Sequence, residues 1–248
     1  MAAVPAGQRV YAVGDIHGRA DLFSALIEAI DAEDAALGAA QTSVILLGDL
    51  IDRGPDSAGV IRLAQGWQQR RHVRVLMGNH EEMFLAALEH EDAMRQFLRH
   101  GGREMLLSYP LDPLVYTRAE LSEVADLARA VIPAQDIAFI RTFEDMITLG
   151  DYLFVHAGIR PGIAPDQQRS ADLRWIREPF LDHDESFGAV VVHGHTIFDR
   201  IDVRQNRIGI DTGAYRSGRL TALALEGTKR WQVSAVAQDG IIRVSSGD

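Results

Sequence analysis

The most constraining feature of this sequence is a pairing that occurs five times: a short apolar run of strand length, followed at once by a polar cluster rich in Gly, Asp, Asn and His. The apolar runs are 10–13, 44–47, 73–77, 152–155 and 190–192. In a parallel or mixed sheet, the turns that follow the strands meet at one edge, where open α/β sheets concentrate their chemistry. The pattern therefore predicts an α/β fold with its functional groups at one sheet edge.

Strand-length and helix-length patterns alternate over the first third of the chain, which is the rhythm of βαβ units. Residues 22–30 and 60–67 have amphipathic helical spacing. From about 91 to 143 the spacing is helical, with interruptions at glycines and prolines, and the remainder alternates between strands and turns. The sequence contains no repeat, low-complexity segment or linker. We therefore predict a single domain, 1–248, with a helical insert at about 91–143.

Composition narrows the class of protein. A chain of 248 residues that is 47% hydrophobic can bury a full core. Its apolar runs are too short to cross a bilayer, and its first residues do not resemble a signal peptide, so we expect a cytoplasmic enzyme without a membrane partner. With a net charge of -10 and a single lysine, the chain offers no basic face for nucleic acid. The sequence leaves the oligomeric state open.

The polar clusters carry side chains that bind metal ions. The chain has no cysteine, so a metal would be held by oxygen and imidazole ligands. Two divalent ions about 3.5–4 Å apart need a shared anionic ligand, and Asp49 suits that role. Asp15 and His17, two residues apart after the first strand, can bind one ion together with Asp49. The remaining ligands for the second ion are Asn79, His156 and His195.

Taken singly, each of these short motifs is also typical of an ordinary turn or helix start. Their joint placement argues otherwise, because five of the nine histidines fall inside the clusters and every cluster follows a strand-like run. The ligand set predicts two divalent ions, with Mn favoured and Fe or Zn as alternatives.

The order of the clusters resembles a known family. Gly-Asp15-Ile-His17-Gly, Gly-Asp49-Leu-Ile-Asp52-Arg53-Gly, Gly-Asn79-His80-Glu81, His156-Ala-Gly and Gly194-His195-Thr are similar to the motifs of the metallophosphoesterase (calcineurin-like) superfamily. Within it, they resemble the bacterial branch of the phosphoprotein phosphatase (Ser/Thr protein phosphatase) family. The resemblance implies a four-layer α/β sandwich, with two mixed β-sheets flanked by helices. It also implies the metal ligands named above and leaves His193 without a ligand role.

The same resemblance suggests roles for residues outside the ligand set. His80 resembles the family's general acid, and Asp52 resembles the carboxylate that orients it. Arg53 resembles the arginine that binds the substrate phosphate, and a surface ion pair is the simpler alternative for it and for Asp52. A second phosphate-binding arginine is expected in the segment 173–178, with Arg177 preferred over Arg174.

Other polar residues are less informative. The turn at 210–215 resembles a family turn near the site, although a strand followed by a glycine turn explains it equally well. His72, His90, His100 and His183 lie outside any motif and are interpreted as surface or capping residues. The segment 91–143 has no metal-binding cluster, and we treat it as a candidate specificity wall beside the site.

These observations predict a metal-dependent phosphoric monoester hydrolase that uses a hydroxide activated by two metal ions. A Ser/Thr protein phosphatase with a phosphoprotein or phosphopeptide substrate is the leading hypothesis, because Asp52-Arg53 is typical of that branch. The alternative is a symmetrical dinucleoside polyphosphate hydrolase acting on diadenosine tetraphosphate, for which adenine-stacking aromatic residues are sparse. A second alternative is a non-catalytic scaffold with the phosphoesterase fold.

Overall fold

Strands and helices alternate in the first part of the computed structural model, which describes residues 1–247. The elements are β1 (Gln8–Val13), α1 (Ala20–Leu37), β2 (Gln41–Leu46), α2 (Ser57–Gln68), β3 (His72–Val75) and α3 (Asn79–Ala87). The helices α1 and α2 bury one apolar face each, as the amphipathic spacing predicts. In this part of the chain, the local sequence pattern is sufficient to predict the strands and helices.

The chain is mainly helical between β3 and the second half of the molecule. The elements are α4 (Glu91–Phe97), a π-helical turn (Leu98–Gly102), α5 (Arg103–Ser108), α6 (Pro113–Arg118), α7 (Leu121–Val131) and α8 (Ala134–Ile140). The π-helical turn contains Gly101 at φ 108°, which kinks the chain between α4 and α5. This segment packs against α2 and α3 through buried Met and Phe side chains.

The second half is mostly strands, as the sequence predicts, but several short elements have no sequence signal. The elements are β4 (Met146–Leu149), β5 (Tyr152–Val155), a 3₁₀ turn (Pro165–Gln167), α9 (Ser170–Trp175), β6 (Val190–His193), β7 (Asp202–Val203), β8 (Arg207–Gly209), α10 (Ala214–Ser217), β9 (Arg219–Glu226), β10 (Lys229–Gln238) and β11 (Ile241–Gly247). The sequence does not predict β4, β7, α9 or α10. Each has two to six residues, too few to show a periodicity.

Within residues 1–247 the strands form two mixed sheets. The first has the order β11-β10-β9-β1-β2-β3, with β1, β2 and β3 parallel and the other neighbours antiparallel. The second has the order β4-β5-β6-β8-β7, with β5, β6 and β8 parallel. Each sheet therefore contains three parallel neighbouring strands whose carboxyl ends lie at a common edge.

The two sheets pack face to face. Val10 and Ile45 of the first sheet share a buried apolar cluster with Phe154 and Val192 of the second. The opposite face of the first sheet packs against α1, α2 and the helical segment. The opposite face of the second sheet is covered by α9 and by the loop that contains Phe180. This four-layer arrangement confirms the predicted fold, although the outermost layer on the second sheet is only one short helix and loops.

Among residues 1–247, no helix combines the length and the apolar character needed to cross a membrane.

Candidate metal centre

The turns that follow the parallel strands of both sheets bring the predicted ligands together. Asp15 and His17 follow β1, Asp49 follows β2, and Asn79 opens α3 directly after β3. His156 follows β5, and His195 lies two residues beyond β6. All six side chains are buried; the most accessible, His195, is only 9% exposed. The clusters lie at the predicted sheet edge because parallel strands end there.

Asp49 lies between two groups of donor atoms. Its Oδ2 atom lies 3.5 Å from His17 Nε2, and its Oδ1 atom lies 3.4 Å from His156 Nε2. Asn79 Oδ1 lies 3.0 Å from His156 Nε2 and 2.9 Å from His195 Nδ1. One carboxylate thus faces potential metal-binding atoms on both sides, which is the geometry required of a bridging residue.

The placement of Asp15 differs from that of the other predicted ligands, because Asp15 belongs to neither group of donor atoms. The side chains that group with His17 and Asp49 include His80, whose Nε2 lies 3.8 Å from Asp49 Oδ2. Both carboxylate oxygens of Asp15 instead accept hydrogen bonds from the His195 backbone N–H, at 3.1 Å each. Asp15 therefore connects the loop after β1 to the loop after β6, within electrostatic range of Asp49.

The backbone at this edge is unusual. Among residues 1–247, six residues other than glycine have a positive φ angle, and Asp239 is the one that lies elsewhere. The five at the site are His17, Asp49, Asp52, Arg53 and His195, with φ between 45° and 72°. A positive φ costs about 1–3 kcal/mol for such residues, and such strain concentrates at functional sites. The surrounding structure therefore holds these side chains in position at a cost in stability.

Glu81 fixes the loop that carries Asp49. Its buried carboxylate accepts hydrogen bonds from the backbone N–H groups of Asp49, Leu50 and Gly78, at 2.9, 2.7 and 3.1 Å. Burial, with the negative charge of Asp49, raises the pKa of Glu81 to about 7. This role of Glu81 was not predicted from the sequence. Its position as the third residue of α3, where a carboxylate caps the helix start, is the signal that could have identified it.

His80 and Asp52 form a buried pair, as the family resemblance implies. His80 Nδ1 lies 2.6 Å from Asp52 Oδ2, and both side chains are fully buried. Burial, followed by the proximity of His17, lowers the pKa of His80. The Nδ1–H donates to the carboxylate, which fixes the orientation of the ring and directs Nε2 toward Asp49.

Two of the three candidate arginines line a cleft of about 370 Å³ above these groups. The residues lining it are Asp49, Arg53, Asn79, His100, Trp175, Arg177, His195, Ile197 and Tyr215. The Arg53 guanidinium lies 4.9 Å from the centre of the Tyr215 ring. Arg174 does not line the cleft, because its guanidinium is bound by Asp145 at 2.5 Å and by Glu82 at 2.6 Å. The structure thus places Arg53 and Arg177, but not Arg174, where they can reach a ligand in the cleft.

Asp211 lies in the turn 210–215, which the sequence predicts to resemble a family turn near the site, without a role for this residue. It lies in the turn after β8, is buried beside Asp15, and accepts a hydrogen bond from the Gly213 N–H at 2.8 Å. Burial, followed by the negative charges of Asp211 and Asp49, raises the pKa of Asp15 well above its ordinary value. His193, in contrast, packs between the rings of Phe180 and Phe198 and lies outside both donor groups.

The buried groups fit divalent cations. Several carboxylates lie close together, and burial raises the pKa of Asp49 to about 7 while it lowers the pKa of His17 and His156. Among the described residues, the buried Nε2 atoms of His80 and His195 have no hydrogen-bond partner. Clustered carboxylates and free imidazole nitrogens, without sulfur, are what borderline divalent metals bind. Metal ions would neutralise the charge that the fold concentrates here.

Comparison with known proteins agrees with this geometry. Residues 8–215 match the sequence profile of the calcineurin-like phosphoesterase family. The chain is 27% identical to the asymmetrical bis(5'-nucleosyl)-tetraphosphatase PrpE of Bacillus velezensis, over 84% of this chain and 86% of that protein. It is 28% identical to serine/threonine-protein phosphatase 1 of Salmonella typhimurium, over 88% and 93% of the two chains.

A third relative is the symmetrical bis(5'-nucleosyl)-tetraphosphatase of Methylobacillus flagellatus, which is 25% identical over 93% of this chain and 97% of that protein. Among solved structures, a putative diadenosine tetraphosphatase superposes with a TM-score of 0.60 at 21% identity, covering 100% of this chain and 99% of that one. That likeness concerns the fold. The sequence profile spans all six proposed ligands and every strand that precedes them, and it shows that the chain belongs to the calcineurin-like phosphoesterase family.

Proposed function

We propose that this protein is a metal-dependent phosphomonoesterase that removes phosphate from phosphoserine or phosphothreonine in proteins. The observation that carries the proposal is the buried His80–Asp52 pair, at 2.6 Å, beside the donor groups that share Asp49. A binding site alone has no need for a histidine oriented by a buried carboxylate. A proton donor next to a phosphate-binding cleft does have that need.

The proposed metal ligands are Asp15, His17, Asp49, Asn79, His156 and His195. Two divalent cations bound there, which we propose to be Mn with Fe or Zn as alternatives, would lower the pKa of a water and neutralise charge on the phosphoryl oxygens. Asp49 would hold them together, because its two oxygens face the two donor groups.

Side chains of the protein would bind the phosphate and supply the proton. Arg53 and Arg177 line the cleft, where planar guanidinium groups can bind separate oxygens of a phosphate dianion. The leaving alkoxide needs a proton, which His80 would supply from Nε2. Asp52 would accept the Nδ1–H, and its negative charge would favour the imidazolium form against the burial that lowers the pKa of His80.

The protein substrate is supported by two observations. The Asp52-Arg53 dipeptide is typical of the phosphatase branch, and here Asp52 contacts His80 directly. Relatives at 26–28% identity include serine/threonine-protein phosphatase 1 of Salmonella typhimurium and serine/threonine-protein phosphatase 2 of Escherichia coli. On the sequence grounds given above, we propose a cytoplasmic location and no nucleic-acid or membrane partner.

A dinucleoside tetraphosphate is the second candidate substrate, and one structural observation favours it. The sequence places few aromatic residues near the proposed ligands, but the two that it does place there, Trp175 and Tyr215, both line the cleft. Trp175 is 38% exposed, so its ring can contact a bound base. Relatives named as tetraphosphatases of both the asymmetrical and the symmetrical kind are consistent with this candidate. A non-catalytic scaffold is disfavoured, because it would have no use for the His80–Asp52 pair.

The test is a comparison of kcat/KM for a phosphothreonine peptide and for diadenosine tetraphosphate, measured with the same metal. We expect a higher value for the peptide. A clear preference for the dinucleotide would overturn the protein phosphatase proposal and leave the phosphoesterase chemistry unaffected.

A further inference from the structure

The cleft has one lining residue whose position the proposed chemistry does not explain. His100 lies outside every family motif, and its sequence context suggests a surface residue. In the structure it is exposed and lines the cleft together with Arg53 and Asn79. Its ring centre lies 6.5 Å from that of His80, at an interplanar angle of 79°. His100 is therefore adjacent to the proposed proton donor, on the side that opens to solvent.

The orientation of the His100 ring is fixed by its own helix. Nδ1 lies 2.8 Å from the carbonyl oxygen of Gln96, one turn earlier. Because a carbonyl oxygen only accepts hydrogen bonds, Nδ1 must carry the proton, and in the neutral ring Nε2 is an acceptor. The ring therefore offers a hydrogen-bond acceptor in a set orientation.

The backbone around His100 is attached to the phosphate-binding loop. His100 lies in the kinked turn Leu98–Gly102 between α4 and α5, directly before Gly101, which has a φ of 108°. The Gly101 carbonyl accepts a hydrogen bond from the Arg53 N–H at 3.1 Å. A side-chain carbon at Gly101 would lie 2.7 Å from the Arg53 backbone nitrogen, so this close approach requires glycine. The turn thus has a fixed position relative to Arg53.

We propose that His100 is a specificity-determining residue that contacts the leaving group of the substrate. The inference rests on the proposed function, because the leaving oxygen must lie beside His80 to receive its proton. The part of the substrate attached to that oxygen then passes His100 on its way out of the cleft. In a phosphopeptide this part is the phosphorylated residue and its neighbours, whose backbone N–H groups can donate to His100 Nε2. The helical segment would then contribute to substrate selection through one residue at its edge.

The test compares two constants in the Mn-loaded enzyme: KM for a phosphothreonine peptide, and the inhibition constant of inorganic phosphate. Inorganic phosphate occupies the phosphate position but has no leaving group. We expect His100→Ala to raise KM for the peptide by about fivefold, the effect of one net hydrogen bond. The phosphate inhibition constant should not change. His100→Gln, which retains an acceptor oxygen, should recover part of the lost affinity.

His90→Ala is the matched control, because His90 is an exposed histidine that flanks the same helix, α4, and does not line the cleft. It should leave both constants unchanged. An unchanged peptide KM in His100→Ala would overturn the inference. So would an equal rise in the phosphate inhibition constant, which would mean that His100 acts only by supporting Arg53.

Failure of the proposed function would have a different signature. If the wild-type enzyme hydrolyses diadenosine tetraphosphate and ignores the peptide, the substrate class is wrong. The two constants are then measured with the dinucleotide, whose leaving nucleotide would pass the same residue. His100→Ala should again raise KM without changing phosphate inhibition, and an unchanged KM would again overturn the inference.

Discussion

The two ends of strand β1 bury charge in opposite ways. At its start, the side chain of Arg9 is only 1% exposed, and its guanidinium binds Asp34 at 2.6 Å and Glu226 at 2.8 Å. Arg71 binds the second oxygen of Asp34 at 2.6 Å. Hydrogen bonds from Arg9 to Glu226 and Asp34 outweigh the effect of burial and raise the pKa of Arg9. In this region every buried charge has an opposite partner.

At the other end of the strand, like charges are neighbours. Asp15, Asp49 and Asp211 lie close enough to influence one another's ionisation, and buried imidazole nitrogens nearby lack partners. Buried charges without partners destabilise a fold. The start of β1 shows that this fold can neutralise buried charge with its own side chains where only stability is required. Arg53 and Arg177 offset part of this charge. The second region therefore suits a ligand that carries positive charge, and divalent cations would supply it.

The largest effect is expected from Asp49→Asn, which removes the shared charge. Activity should fall by more than the roughly 10- to 100-fold loss that follows removal of a partner of a metal ligand. Elemental analysis should show less metal per chain. In chelator-treated protein the same change should raise Tm, because it removes one of several neighbouring buried charges. A lower Tm of the variant than of the wild type in chelator would mean that positive charges of the protein already neutralise these carboxylates, just as Asp34 and Glu226 neutralise Arg9.

Next in size is the effect of His80→Asn. We expect kcat to fall by about 10²–10⁴ with bound metal retained, because His80 supplies a proton and is not a proposed ligand. The loss should be largest for substrates with poor leaving groups. Asp52→Asn combined with His80→Asn should cost little more than either change alone, since the two residues act as one unit. Metal loss as large as that of Asp15→Asn would make His80 a ligand.

Substitution of the two arginines in the segment around α9 should have smaller effects than His80→Asn, and the two substitutions should differ from each other. Arg177→Ala should lower kcat/KM by about 10- to 100-fold, since it removes charge-assisted hydrogen bonds to the phosphate. Arg174→Ala should be milder for kcat/KM and should lower Tm, because it leaves Asp145 and Glu82 without their partner. Steady-state kinetics and thermal unfolding of both variants test this. The reverse pattern would assign phosphate binding to Arg174.

At the opposite end of β1, Arg9→Met should affect stability and leave catalysis unchanged. The free energy of unfolding should fall by about 1.5–3 kcal/mol, the typical contribution of hydrogen bonds to a charged group. Because Glu226 is 42% exposed, water can solvate it after the change, which limits the loss. Urea denaturation and kcat/KM are the two measurements. A loss of activity beyond the loss of folded protein would couple this region to the site.

The smallest effect concerns acid stability. Burial would raise the pKa of Asp34, but hydrogen bonds from Thr42, Arg71 and Arg9 outweigh it and hold this pKa below the ordinary value of 3.8. The folded protein therefore binds fewer protons here than the unfolded chain. The stabilisation is complete at a pH above the pKa that Asp34 has in the unfolded chain. It is lost as the pH falls through the lower pKa that Asp34 has in the folded protein. Between pH ~5 and ~2, urea denaturation should show a steeper loss for the wild type than for Asp34→Asn. Parallel curves would contradict this.

Local sequence patterns predicted the strands that carry the ligands, because apolar runs followed by Gly-Asp or Gly-Asn turns leave few alternatives. They also placed Asp49 among the clustered donor residues, between His17 and His156, and, through the family resemblance, paired His80 with Asp52. They did not predict β4 or β7, which are short edge strands formed by pairing with β5 and β8. Such pairing depends on distant residues and leaves no local periodicity.

The same reason explains why the sequence predicted no role at the site for Asp211 or His100. Asp211 follows β8, which pairs with β6 in the second sheet, whereas Asp15 follows β1 in the first sheet. The two residues meet only because the two sheets pack together. His100 reaches the cleft only because a π-helical turn ends α4 beside Arg53. Neither proximity follows from spacing along the chain. Residues of this kind require the tertiary structure to be recognised.

The most direct test of the central claim is a metal titration of chelator-stripped protein, monitored by bound metal, Tm and phosphatase activity in parallel. The account predicts that Mn²⁺ binds at two ions per chain, that Tm rises as binding neutralises the carboxylates around Asp49, and that activity appears with the bound metal. Full activity in the stripped protein, or a Tm that does not respond to metal, would contradict it.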